Sequence, residues 1–334
     1  MAKKDPLVVM IPVNYNGVTT RFRSKPVLFH CLGSLQRTNY DNFRIVVTDD
    51  SSPDESVAYI KKTFPKIETV VSRPNGGFVK AANFAMRYAI KKYNPDYILL
   101  SCNGIVAKDR SWLKKMLAVA ESDSKIGIVG CKMLYPNGEL QDAGFPTIGP
   151  SSMRNRAREL SAAEQSKKGL YNGVEEVEAL SVMHLVKRKV LDKVGLHDEK
   201  YYMGSDDIDY CLAVRRAGFR VMYDGGVSLI HIEGASFDNA AKQVKNKDRW
   251  FPVLQINRVY FAFKNFGTAG RISAMLNILM GSLVGIGARR MTLLNLKLKD
   301  RIPWRLKTSL RAIVIGYRLY KNKITVEEAF GLKR

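Results

Sequence analysis

Apolar positions alternate between two periods along the first two-thirds of this chain. Leu7–Val13 (LVVMIPV) is an unbroken apolar run, the pattern of a strand covered on both faces of a parallel sheet. Lys25–Thr38 sets Leu28, Leu32 and Leu35 on one helical face. Phe43–Thr48 then predicts a second strand, Ser56–Phe64 a helix, Ile67–Val71 a third strand, Phe78–Lys92 a longer helix and Tyr97–Leu100 a fourth strand. Strands alternating with helices predict an α/β domain, a largely parallel sheet flanked by helices. Further on, the pattern predicts a helix over Ser111–Ala120, a strand over Ile126–Val129 and a hairpin over Cys131–Phe145 around Pro136-Asn137-Gly138. A strand over Glu178–Val186 and a short helix over Arg188–Val194 follow. Pro146–Asn172, rich in Ser, Arg and Lys and without a period, is expected to be a mobile loop.

In such sheets ligands bind beyond the carboxyl ends of the strands, where strand order reverses. Polar residues fall at four of these ends: Asn14 and Asn16, Asp49 and Asp50, Asn75-Gly76-Gly77, and Ser101-Cys102-Asn103. One polar turn means little, because turns are polar anyway; four around one crevice mark a candidate site. A carboxylate such as Asp50 can accept hydrogen bonds from a nucleobase or ribose. Two glycines without side chains let backbone approach a ligand, ahead of a helix N-terminus that suits phosphate. The turn is neither a dinucleotide fingerprint nor a P-loop.

A second polar concentration lies at Tyr201–Phe237. Asp206, Asp207 and Asp209 precede a short amphipathic pattern (Ile208, Leu212, Val214) that Gly218 stops. Phe219, Val221 and Tyr223 alternate as a strand, leading to His231 between Ile230 and Ile232. Acids at a helix N-terminus suit the helix dipole and would serve either as bases or cation ligands, or simply as an acidic cap. His231 is a cation ligand or a core histidine.

Composition narrows the partners. Among 334 residues, 54 Lys and Arg against 31 Asp and Glu give a formal charge of +23, which calls for an anionic partner: nucleic acid, a membrane surface or a phosphorylated substrate. Cys31, Cys102, Cys131 and Cys211 have no paired spacing, which argues against a zinc knuckle or disulfide framework and fits a reducing compartment. No signal peptide is read in MAKKDPLVVMIP, and no apolar run reaches the roughly 20 residues a membrane span needs.

The stretches VVMIPVNYNG, FRIVVTDDSS, RPNGGFVKAANFA, DYILLSCNGIV, GCKMLYPNGELQDAG, VKRKVLDKVGLHDEKYYMGSDDIDYCLAVRRAGFRV and LIHIEGAS, in this order over about Leu7–Phe237, resemble the family 2 inverting nucleotide-sugar glycosyltransferases of the GT-A fold. The nearest flavour resembles the rhamnosyltransferase and galactofuranosyltransferase branch, which builds surface polysaccharides. The resemblance implies that Pro12, Asn14 and Asn16 frame a nucleobase pocket, that Asp50 holds base or ribose, and that Gly76, Gly77, Lys80 and Asn83 line the diphosphate and sugar site. It makes Asp207 the general base, with Asp206 beside it, and His231 a metal ligand. It further implies a UDP- or dTDP-sugar donor, a divalent cation (Mn2+ or Mg2+) and a glycan or lipid-linked acceptor. One position departs: Asn103 stands where the family carries a metal-binding Asp. An amide oxygen can ligate a cation but brings no charge. Asp109 or Asp206 would have to compensate, or Lys and Arg would neutralise the leaving phosphate.

After Phe237 the composition shifts. Arg271–Arg334 carries 14 Lys and Arg against 3 Asp and Glu, and Ile272–Ile286 is apolar but too short to span. The expected division is a catalytic domain over 1–240 and a basic helical extension over 241–334. The extension would lie on an anionic membrane, pack on the catalytic domain or form an oligomer. A peripheral protein at the cytoplasmic face of the membrane is expected. Two alternatives stand beside the enzyme: a catalytically silent nucleotide-sugar-binding relative, and a nucleic-acid-binding protein, which is disfavoured because no nucleic-acid recognition signature accompanies the charge.

Overall fold

The computed structural model describes residues 5–151, 153–161, 164, 167, 169–181, 183–232, 240–284 and 302–332. The chain divides into two compact units: Met1–Ile148 with Arg154–Asp198 and Asp206–Gln243, and Gly149–Met153 with Glu199–Ser205 and Val244–Arg334.

The first unit starts with β1 (Val8–Asn14), buried along its whole length, then a small ribbon of β2 (Arg21–Phe22) and β3 (Lys25–Pro26). It continues through α1 (Val27–Gln36), β4 (Phe43–Asp49), α2 (Ser56–Thr63), β5 (Glu68–Val71), α3 (Phe78–Tyr93), β6 (Tyr97–Cys102), β7 (Ile105–Ala107), α4 (Trp112–Ser122), β8 (Ile126–Leu134) and β9 (Leu140–Asp142). A second ribbon, β10 (Thr147–Ile148) and β11 (Met153–Arg154), leads to α5 (Arg156–Glu159), β12 (Val174–Glu176), β13 (His184–Lys187), α6 (Arg188–Val194), α7 (Asp206–Arg216) and β14 (Arg220–His231).

The main sheet runs β12-β14-β8-β13-β6-β1-β4-β5, with β7 pairing to β14 and β9 to β8. Strands β5, β4, β1 and β6 are parallel, as the apolar runs predict. Between β6 and β8 lies the antiparallel β13. Four residues of β13 suffice, because the preceding segment from Glu178 contributes only a bridge between Phe145 and Ala179; the strand predicted over Glu178–Val186 is therefore shorter and later. The chain winds from β1 to β4 and β5, then returns to β6 on the other side of β1. The reversal thus brackets β1, so the ends of β4, β1 and β6 form the crevice.

One face of the sheet buries Leu28, Leu32, Trp112 and Met116 against Met10, Val47, Leu99 and Leu185. Trp112 also donates to Thr38 Oγ1 at 3.0 Å, which satisfies its buried N–H. On α3, Val79, Ala82, Met86 and Ala89 form the buried stripe, and Asn94 closes the helix in the left-handed region. Gly218, at φ +88°, stops α7. The expected loop at Pro146–Asn172 contains β10, β11 and α5, and falls partly outside the described residues.

The second unit is helical: α8 (Ala240–Asn265, with Pro252 inside it), α9 (Thr268–Val284), α10 (Ile302–Tyr320) and α11 (Val326–Phe330). The fully buried Asn257 donates to the carbonyls of Met203 and Gly204 at 2.8 and 2.9 Å. Helices α9 and α10 pack together, with Ser282 and Ser309 hydrogen-bonded at 2.7 Å. A capping box joins Thr325 and Glu328 at the start of α11. The outward face of α9 presents Ile272, Leu276, Met280 and Leu283, each 46–58% exposed. No described helix is long and apolar enough to cross a membrane.

Candidate functional site

Burial of β1 leaves the polar end of that strand inside the protein, so each polar group there requires a partner. Asn14 is fully buried and donates to Asp49 Oδ2 at 2.7 Å, while accepting from Asn103 Nδ2 at 2.7 Å. Ser52 donates to the same Asp49 oxygen at 2.8 Å and accepts from the Asn16 N–H at 3.0 Å. Backbone bonds repeat the linkage: Asp50 N–H to Asn14 O, and Asn103 N–H to Val13 O. The ends of β1, β4 and β6 are thereby one cross-linked platform. Pro12 lies within it, opposite Ser101 on β6. Asn16 follows in a left-handed turn (φ 54°), and its buried Oδ1 has no hydrogen-bond partner among the described residues. A buried carbonyl oxygen left this way costs about 1–3 kcal/mol unless a ligand donor meets it.

Asp50 is 3% exposed and clamps the glycine turn, accepting from Gly76 N–H at 3.0 Å on one oxygen and from Gly77 N–H at 2.9 Å on the other. Asn75 donates to the Asp50 carbonyl. Burial raises the Asp50 carboxyl to about 6; the two glycine N–H groups oppose the rise and Asp49 adds to it. Gly77 begins α3 at φ +84°, where a side chain would be strained, and a Cβ on Gly76 would meet the Lys80 side chain at 2.9 Å. Half-buried Lys80 therefore lies over the turn, in a helix whose first turn holds no acid.

Two turns along α3, Asn83 is 1% exposed and holds the backbone of His197 from both sides: its Nδ2 donates to His197 O at 2.8 Å and its Oδ1 accepts from His197 N–H at 3.1 Å. The His197 ring stacks on Tyr210 with centroids 4.2 Å apart and has Nδ1 3.4 Å from Asp206 Oδ2. Asp206 is buried, whereas Asp207, next in the first turn of α7, is half-buried. A path of contacts thus leads from Asp50 through the glycine turn and α3 to the start of α7.

His231 ends β14 beside the turn after β6. It is in register with Ile105, and the next N–H, from Ile232, donates to Gly104 O at 2.9 Å. Its Nδ1 lies 2.9 Å from Gln141 Oε1 on β9. Burial would raise the Cys102 thiol, and the nearby His231 imidazole brings it below its ordinary value. Asn103, 2% exposed, sends its amide to Asn14.

The residues offered as compensating carboxylates are engaged elsewhere. Asp109 binds Lys115 at 2.6 Å and caps Ser111, and Asp206 lies against His197. Among the described residues no three His, Cys, Asp or Glu side chains cluster as a cation site.

Sequence reasoning placed Asp49 and Cys102 at strand ends without giving either a role, and passed over Gln141 and His197. Asp49 adjoins Asp50, and Gln141 lies in the ELQDAG stretch, so both were visible. His197 carried no signal, because its partner Asn83 is 114 residues away.

Residues 15–195, more than half of the chain, match the glycosyl transferase family 2 model. The O-antigen biosynthesis protein RfbC of Myxococcus xanthus is 24% identical over 242 residues, 70% of this chain and 18% of RfbC. The chain spans between 18% and 27% of the length of the curated relatives it matches. The mannosyltransferase PcManGT of Pyrobaculum calidifontis, solved with GDP-Man and Mn2+, shares the fold at a TM-score of 0.53 and 14% identity, covering 93% of this chain and 87% of that one. TarS 1–349 of S. aureus, solved with UDP, superposes at 0.52 with 14% identity, covering 94% and 83%. With a family model matched over more than half of its length and a wound sheet and helices that share the fold of these structures, the chain belongs to glycosyl transferase family 2 and has the GT-A fold.

Proposed function

We propose that this protein transfers a sugar from a nucleoside-diphosphate donor to an acceptor hydroxyl with inversion at the anomeric carbon, and that Asp207 is the general base. The observation that carries the reading is the contact path from Asp50 to α7, which ties the donor turn to the acid-bearing helix. In this account Asn16 Oδ1 and the Asp50 carboxylate accept hydrogen bonds from base or ribose. The first turn of α3 and Lys80 hold negative charge on the departing diphosphate. The half-buried Asp207 takes the acceptor proton as the hydroxyl oxygen attacks and the anomeric carbon–phosphate oxygen bond breaks.

The finer readings rest on resemblance and on the relatives. A glycan acceptor and a role in surface polysaccharide assembly are in keeping with the likeness to an O-antigen biosynthesis protein; a UDP- or dTDP-sugar donor, a lipid-linked acceptor and the rhamnosyl or galactofuranosyl type rest on the resemblance alone. A catalytic part over 1–240 and a helical extension over 241–334 are proposed, the extension resting on the inner face of the membrane through the apolar face of α9. Asp207→Asn tests the base. Expected are loss of transfer by at least about a thousandfold, within the range general-base catalysis supplies, and unchanged donor affinity by calorimetry. Wild-type turnover in that variant contradicts the assignment.

A further inference from the structure

His184 on β13 and His197 before α7 are buried and take no part in the transfer step described so far. Their rings are stacked with centroids 6.3 Å apart. His184 is accounted for by its surroundings. Its Nε2 lies 3.2 Å from the Leu180 carbonyl, and burial, with the His197 charge as a second cause, lowers it to about 4. His197 is not accounted for. Its side chain is 1% exposed, yet neither ring nitrogen has a hydrogen-bond partner among the described residues. Buried polar atoms in that state call for a reason. Stacking on Tyr210 is not the reason, because a phenyl ring would stack there without burying two polar nitrogens. The other contact of the imidazole is with a carboxylate: Nδ1 is 3.4 Å from Asp206 Oδ2. That is longer than the roughly 2.7–2.9 Å of a charge-assisted hydrogen bond, and such contacts at reaction sites commonly tighten once substrate is bound.

Asp206 and Asp207 are consecutive in the first turn of α7, so their side chains leave the helix roughly 100° apart. A ring that holds Asp206 inward fixes the rotation of that turn. It thereby sets the direction of half-buried Asp207, whose Oδ1 accepts from Ile208 N–H at 2.9 Å. The ring is itself anchored: the Asn83 amide grips the His197 backbone from both sides, and the Tyr210 hydroxyl donates to Gly195 O at 2.9 Å. We propose that His197 is a positioning residue for sugar transfer: its imidazole holds the Asp206 carboxylate in the interior and so aims Asp207 at the acceptor hydroxyl. No bond to His197 forms or breaks in the reaction. The inference rests on the reading of Asp207 as the base.

The test is steady-state release of nucleoside diphosphate by the full chain from UDP-, dTDP- and GDP-sugars, with water in place of the acceptor. Circular dichroism checks the fold of each variant. His197→Asn keeps an N–H donor where Nδ1 lies but loses the ring, whereas His197→Phe keeps the stack on Tyr210 but loses the donor. Expected for His197→Phe is a kcat lower by up to about a hundredfold, the cost of roughly an ångström of misplacement, at unchanged donor KM, with a smaller loss in His197→Asn. A ring that only fills space gives the reverse order, and that order overturns the proposal. In an Asp206→Asn background His197→Phe should cost nothing further, because effects that act through one contact do not add; full additivity likewise overturns it. Should neither His197 variant fold, Asp206→Asn alone must lower kcat at unchanged donor KM, and wild-type kcat in it overturns the proposal. Asp207→Asn is the control. Wild-type kcat there sinks the base reading and the inference together, whereas an inactive Asp207→Asn beside a fully active His197→Phe sinks the inference alone. Absence of turnover of the whole panel by the wild type removes both.

Discussion

Asp50 concentrates the electrostatics of the strand-end platform in one group. Its carboxyl is raised to about 6 from 3.8 by burial, so in the free protein the protonated form stabilises the fold below pH 3.8, and that contribution is lost as pH rises through about 6. The size is at most about 3 kcal/mol, since each pKa unit corresponds to about 1.4 kcal/mol. Donor binding carries the opposite sign, because a base or ribose donor needs the ionised carboxylate as acceptor. Donor affinity should accordingly fall by up to about tenfold per pH unit below 6 in the wild type, and a flat profile is expected in Asp50→Asn. Calorimetry between pH 7 and 5 reads both; a wild-type profile as flat as the variant's removes Asp50 from the donor site. At this scale the sequence was informative where residues are polar and sit after apolar runs: Asn14, Asp50 and the Gly76-Gly77 turn were all legible. It could not show that the Asn103 amide is spent on Asn14, because that pairing joins residues 89 apart in the chain.

Among the elements, the parallel strands and long helices were readable because burial on both faces leaves unbroken apolar runs and α3 buries a clear stripe. Strand β13 was not, since Glu178–Val186 is apolar over a longer stretch than pairs with β6 and β8, and the antiparallel insertion depends on contacts distant in sequence. The role of Asn83 was hidden for the same reason. Resemblance assigns it to the sugar site, and its amide also fastens the loop before α7 to α3. Asn83→Ala would leave a buried N–H and C=O of His197 unpaired. It should destabilise the protein by about 2–4 kcal/mol, from roughly 1–3 kcal/mol per orphaned group, seen as a lower urea midpoint. A change below about 0.5 kcal/mol, the usual size for an unimportant surface site, would show that the loop is held by other contacts.

For the whole molecule, charge and the C-terminal helices belong together. The chain carries +23, and in the second unit α9 and α10 contain no acid, while α10 exposes Leu310 and Val314 among Lys307, Arg311 and Arg318. Exposed apolar side chains bordered by bases match the interface of an anionic bilayer. The protein should float with vesicles containing anionic lipid, less in high salt, and scarcely with neutral vesicles. Leu276→Glu with Val314→Glu should weaken binding by at least about tenfold, given roughly 1.5–3 kcal/mol per buried aliphatic side chain. Equal flotation of wild type and double variant would exclude these faces.

Within that frame the central claim is that the ends of β4, β1 and β6, with the turn that opens α3, hold an activated sugar. A thermal-stability screen of the full chain against UDP-, dTDP- and GDP-sugars, with and without Mn2+ and Mg2+, addresses it most directly, because a ligand that binds only the folded state must raise the melting temperature with concentration. The account predicts such a rise for at least one nucleotide sugar, and its loss in Asp50→Ala with the fold retained by circular dichroism. No stabilisation by any member of the panel, or stabilisation indifferent to Asp50→Ala, would contradict it.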